Sequence, residues 1–200
     1  MKIRLSSEEM LAQWKLRRGF APLRSDCEIS RNDGVDLDAI FRLEMRDWYI
    51  ELLRTAPIEM LAPTNISNEI ALLPADNGEA TVILPENCRR VVEFQLEGWE
   101  TPAHIVTDVD SREATLQQNP FSMGSDVNPM VVKRENRLFV YSVSQNHQAK
   151  IIRAIVVLEP TDGSYEMDEA ALSTIKMKNE RGMRCDSHAV FHRFMQNFRL

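Results

Sequence analysis

Apolar positions recur along this 200-residue chain with two different periods, and the change of period divides it into three stretches. Leu37, Ile40, Phe41, Met45, Trp48, Tyr49 and Leu52 are spaced by threes and fours, one wide apolar face of a helix. Asp36 stands where an N-cap belongs, and Pro57 closes the run, because the residue before a proline avoids the helical region. Trp48 and Tyr49 on that stripe read as packing rather than as a binding box. A shorter helix precedes it. Ser6-x-x-Glu9 has the form of a capping box, Met10, Leu11 and Trp14 share one side, and Gly19 is a natural stop. Between the two helices, Pro22, Asn32-Asp33 and Gly34 interrupt any period, so residues 20–35 are expected to form an extended arm.

Beyond Pro63 the texture becomes that of strands. Residues 79–84, 90–96, 103–106, 130–133, 137–143 and 150–158 are rich in Val, Ile, Phe and Tyr and are separated by turn residues. In 90–96, Val92, Phe94 and Leu96 alternate with Val91, Glu93 and Gln95, the pattern of a half-solvated antiparallel strand. In 150–158 both faces are mostly apolar, which predicts a central strand. Residues 107–129 break the rhythm with a long polar excursion punctuated by Asn119-Pro120, Gly124 and Asn128-Pro129. An excursion of that length is uncommon within a compact domain, and it is expected to project as a loop.

The tail returns to helix. Asp168 can cap a short Ala-Ala-Leu-x-x-Ile segment, and Asp186 a final helix whose Val190, Phe191, Phe194, Met195 and Phe198 form a bulky stripe. Such a stripe packs either on the chain's own sheet or on a neighbour, and the pattern leaves both open. The expected fold is therefore α+β: an antiparallel β-sandwich or small barrel flanked by N- and C-terminal helices. Its parts are a helical region with its arm (1–63), a β-domain with a projecting loop (64–165) and C-terminal helices (166–200).

Composition changes this picture little; the placement of charge changes it more. A hydrophobic fraction of 44% and a charged fraction of 27% describe an ordinary globular chain. No stretch has the length of a membrane span, and the opening residues lack the apolar core of a signal peptide. Three widely separated cysteines (Cys27, Cys88, Cys185) argue for reduced thiols in a cytoplasmic setting. Of the net charge of −6, residues 1–60 carry 10 basic against 11 acidic side chains, residues 61–165 carry 8 against 14, and the remainder 6 against 5. The acidity thus belongs to the β-rich middle. A surface so poor in Lys and Arg disfavours tight gripping of nucleic acid.

The sharpest candidate for chemistry is Cys185-x-x-His188-x-x-x-His192, where two imidazoles at i and i+4 share a helix face with a thiol nearby, the donor set of a zinc site. It lacks a second nearby cysteine and the glutamate of the His-Glu-x-x-His motif, so the outer face of an amphipathic helix is the preferred reading. No nucleophile elbow and no phosphate-cradling glycine loop appears. Asp108-Val109-Asp110 with Glu113 lacks calcium-loop spacing, and Arg89-Arg90 reads as a local salt bridge. No catalysis, cofactor, metal or small-molecule substrate is expected.

The run Leu84-Pro-Glu-Asn-Cys-Arg-Arg-Val-Val-Glu-Phe-Gln-Leu-Glu-Gly-Trp99 is followed by Pro102-Ala103, Gln117-Gln-Asn-Pro-Phe-Ser-Met-Gly124, Asn128-Pro129-Met-Val-Val132 and Arg137-Leu-Phe-Val-Tyr-Ser142. With the helical segment from Trp48 to Pro57 before it, this order resembles the head-to-tail connector (ring, or tail-tubular-like) proteins of short-tailed bacteriophages. The nearest are the ring proteins of crass-like phages of gut Bacteroides and related prophages. The resemblance spans residues 36–145, and it departs from the pattern at Ser122-Met123-Gly124, where relatives carry a small residue and then Arg-Gly. It implies a structural virion protein made in the host bacterial cytoplasm. Copies of the chain would form a ring between portal and tail proteins, with DNA passing unread and no membrane involved. On that reading the contact residues are Gln117, Asn119 and Phe121 in the loop and Phe191, Phe194 and Phe198 in the terminal stripe. The alternative from another class is a binding module whose β-domain loops hold a partner protein or a glycan.

Overall fold

Helix α1 (Ser7–Arg17) starts where the capping box places it: the Ser6 side chain accepts from the Glu9 amide, and the Glu9 carboxylate accepts from the Ser6 backbone N–H at 2.8 Å. Helix α2 (Leu37–Thr55) is capped by Asp36, whose carboxylate accepts from the amides of Asp38 and Ala39. The structure, a computed structural model, describes residues 1–19, 36–74, 79–119, 121–141, 143 and 150–176. The arm at 20–35, the terminal stripe and the Cys185, His188 and His192 trio lie outside the described residues.

Among the described residues ten strands make three sheets: β1 (Lys2–Leu5), β2 (Thr64–Asn65), β3 (Leu72–Pro74), β4 (Ala80–Ile83), β5 (Cys88–Leu96), β6 (His104–Val106), β7 (Met130–Arg134), β8 (Arg137–Val140), β9 (Ile151–Leu158) and β10 (Tyr165–Asp168). β1 pairs antiparallel with β10, a three-stranded sheet has the order β2-β9-β5, and a five-stranded sheet has the order β3-β4-β8-β7-β6. The two larger sheets face one another across a core that includes Ile66, Val82, Phe94, Val131, Leu138 and Val156. The architecture is α+β and sandwich-like, and among the described residues no sheet closes into a barrel.

The three-stranded sheet is covered on its other side too. There α1, α2, β1, β10 and a 3-10 helix (Glu169–Lys176) enclose a second core of Trp14, Tyr49, Leu53, Met167 and Leu172, with Val157 of β9. β9 is central, as its two apolar faces predict. The pairing of β1 with β10 makes the start of the chain and residues 165–176 one layer, not separate flanking regions. Tyr49 ties α2 to that layer: its hydroxyl donates to the Glu166 carbonyl at 3.1 Å and accepts from the Glu166 amide at 2.9 Å. Burial pushes its pKa up to about 12.

Two expectations need correction. Strict alternation in β5 fails because its register shifts between Val91 and Glu93 against β9. That irregularity turns Val91 into the inter-sheet core beside Phe94 and Leu96, and leaves Val92 packed on the helical side. The strand is therefore covered on both faces rather than half-solvated. The β-region is also not wholly antiparallel, since β6 and β7 run parallel, with His104 opposite Met130 and Val106 opposite Val132.

Candidate functional site

The parallel pairing of β6 with β7 accounts for residues 107–129. Antiparallel neighbours can be joined by a two-residue turn, but parallel ones need a crossover of a dozen residues or more. The excursion is that crossover. It carries its own short helix α3 (Arg112–Leu116), capped by Ser111, whose hydroxyl accepts from the Ala114 amide. Ala114 packs with Val106, Val132 and Tyr141 in a small third core, so the crossover lies against the outer face of the five-stranded sheet rather than projecting free.

Gln117 braces this crossover from inside. It is 2% exposed, the one buried polar side chain among the described residues. Its amide oxygen accepts from the Gly124 N–H at 2.7 Å, and its Nε2 donates to the Glu113 carbonyl at 3.1 Å and faces Met130 Sδ at 3.1 Å. Gly124 is needed where it stands: a Cβ there would lie 2.8 Å from the Met130 nitrogen and 3.1 Å from the Asn128 oxygen. Gln117, expected as a contact residue, is thus an internal brace without surface to offer.

The other two loop candidates are exposed. Asn119 shapes the tip: its side-chain oxygen accepts from the Phe121 amide at 3.0 Å, and its carbonyl accepts from the amides of Ser122 and Met123. Phe121 is 99% exposed. Val109, Leu116 and Val127 of the same crossover are exposed as well, which the sequence signals only as isolated apolar residues in a polar stretch. Phe121 thus stands wholly in water on an internally braced turn. Phe191, Phe194 and Phe198 are not among the described residues.

A second feature escapes any motif. The end of α2, the start of β5, β6 and β7 enclose a cleft of about 720 Å³ lined by Arg54, Arg89, Arg90, His104 and Lys133, with Val91, Val92 and Ile105 between them and Glu135 on its rim. Arg89 pairs with Glu159, donating from Nε at 2.7 Å, as its reading as a salt bridge predicts. Arg90 donates to the Ala56 carbonyl at 2.8 Å and so caps the end of α2. Lys133 donates to the Glu135 carbonyl at 2.9 Å, and among the described residues Arg54 makes no hydrogen bond or ion pair. Arg54 and Lys133 meet only in the folded chain, so no linear pattern joins them.

The titratable groups near these features are arranged for structure. Cys88, in the adjoining part of the cleft, is buried, and that burial pushes its thiol up, away from the thiolate a nucleophile requires. His104 lies 3.3 Å from Glu113 with both side chains largely exposed. Among the described residues no three His, Cys, Asp or Glu side chains are grouped to hold a metal ion, and no helix is long and apolar enough to cross a membrane. Fold and site together describe a mixed α+β scaffold that displays a braced crossover and a basic cleft. No known protein family matches this chain, and no curated protein matches its sequence.

Proposed function

We propose that this protein is a structural subunit of a head-to-tail connector ring of a short-tailed phage or prophage. In that role it joins portal and tail proteins and surrounds the DNA channel without catalysis. It is made in the host cytoplasm and ends in the virion. The observation that carries the reading is Phe121, an exposed aromatic on a crossover whose fold is held by the buried Gln117. A scaffold whose described residues form three cores and hold Phe121 in water suits an assembly protein, because a preformed contact loses little conformational freedom on binding. The sequence resemblance over residues 36–145 includes this crossover, and a net charge of −6 suits a wall past which a polyanion slides.

Light scattering on the purified chain tests the reading. Assembly gives a defined multiple of the 23.0 kDa protomer mass, and Phe121→Asp shifts the population toward the protomer. A 23.0 kDa species at every concentration, alone and mixed with the portal and tail proteins from neighbouring reading frames, refutes it.

A further inference from the structure

The crossover and the basic cleft carry opposite charge on one molecule. Residues 107–129 hold four acidic side chains (Asp108, Asp110, Glu113, Asp126) against the single base Arg112, and all four acids are exposed. The cleft gathers Arg54, from the near-neutral helical part, with Arg89, Arg90 and Lys133 of the otherwise acidic β-rich middle. Its walls are mixed: Val91 and Ile105 lie between the cations, just as Val109 lies between Asp108 and Asp110. We propose that the cleft is a docking socket for the acidic crossover of a second copy of this chain. The proposal rests on the reading of the protein as self-assembling and names the surfaces that meet.

Three observations favour this occupant. The first is the free charge. Arg89 is neutralised by Glu159, whereas Arg54, Arg90 and Lys133 have no carboxylate partner among the described residues, Arg90 and Lys133 donating only to the backbone carbonyls of Ala56 and Glu135. Three such cations with Glu86 and Glu135 close by are too few for a nucleic acid strand, whose binding draws on many phosphate contacts. They suffice for two carboxylates. The second is shape: a cleft of about 720 Å³ between a helix end and two sheets admits a loop and excludes a duplex. The third is that the molecule's own crossover does not fill it. Glu113 reaches only His104, at the margin, and Asp110 and Asp126 make no side-chain hydrogen bond within the described residues. Charge complementarity of this kind selects the partner and its register.

Charge reversal tests the contact by sedimentation equilibrium. One variant reverses the socket (Arg54→Glu with Lys133→Glu), and the other reverses the crossover (Asp110→Lys with Asp126→Lys). Each alone is expected to weaken self-association about tenfold or more, since like charges then face one another. An equimolar mixture is expected to recover association, because an acidic socket then meets a basic crossover and the unaltered pair remains complementary. Association of the unaltered protein should also weaken as salt is raised, a readout independent of whether the variants fold.

Unchanged association in both variants, or association insensitive to salt, overturns the socket while leaving a ring built through other surfaces. A protein that remains a protomer on its own overturns the socket, and one that does so with the portal and tail proteins as well overturns both. Recovery in the mixture with mass stopping at a dimer supports the socket and overturns the ring.

Discussion

Gln117 offers the most direct test of how the crossover is held. Gln117→Leu keeps much of the volume but removes both polar ends of the side chain. The Gly124 N–H, now bonded at 2.7 Å in a buried setting, loses its acceptor, and the Glu113 carbonyl loses a donor. Leaving a buried amide unsatisfied costs about 1–3 kcal/mol, while replacing the side chain with one of similar size keeps the cavity contribution small. At about 2 kcal/mol, the melting temperature of a chain this size falls by about 4–8 °C. The loss is expected first as local opening, since the crossover packs on a small core of its own. Amide hydrogen exchange at Gly124 should therefore accelerate about thirtyfold, the equivalent of 2 kcal/mol, before any effect reaches β9. Gln117→Glu, which retains an acceptor for Gly124, should fall between the two. Exchange at Gly124 and a melting temperature both unchanged in Gln117→Leu would refute the brace, and with it the rigidity attributed to the turn that carries Phe121.

Two further outcomes follow from other parts of the molecule. Ser6→Ala removes the hydroxyl half of the capping box and should cost about 1 kcal/mol in urea denaturation, with no change of fold by circular dichroism. Tyr49, raised to about 12, favours the folded state through its protonated form. That contribution is whole below pH 10, the ordinary phenol value, and is lost as pH rises from 10 to about 12. Stability measured across this window should fall less steeply in Tyr49→Phe than in the unaltered protein, and a phenol titrating near 10 by ultraviolet absorbance would contradict the arrangement.

Where local chemistry sufficed, the sequence was legible. Both N-terminal helices start at the caps their sequences advertise, Ser6 with Glu9 and Asp36, because capping depends on residues two or three positions apart. Met10, Leu11 and Trp14 are buried as their spacing requires. Six strands lie within a few residues of the apolar runs that predict them. The missed strands β1, β2, β3 and β10 have two to four residues each and, unlike the equally short β4, β6 and β8, lie in no run rich in Val, Ile, Phe and Tyr; they exist because a partner completes their hydrogen bonds. The candidate site was legible in part. Asn119 and Phe121 stand exposed on the stretch singled out for contacts, whereas Gln117 is inside it.

By itself, then, the sequence determined the two N-terminal helices, most of the strands, the α+β class and the stretch in which an exposed aromatic sits. Tertiary structure alone decided the parallel pairing that turns residues 107–129 from a projecting loop into a packed crossover. It likewise decided the bulge that sends Val91 and Val92 to opposite cores, and the meeting of Arg54 with Lys133 in one cleft. The physical reason is range. Caps and apolar periods act over a turn or two of chain, while strand order, register and the gathering of like charges depend on residues that become neighbours only once the sheets have paired.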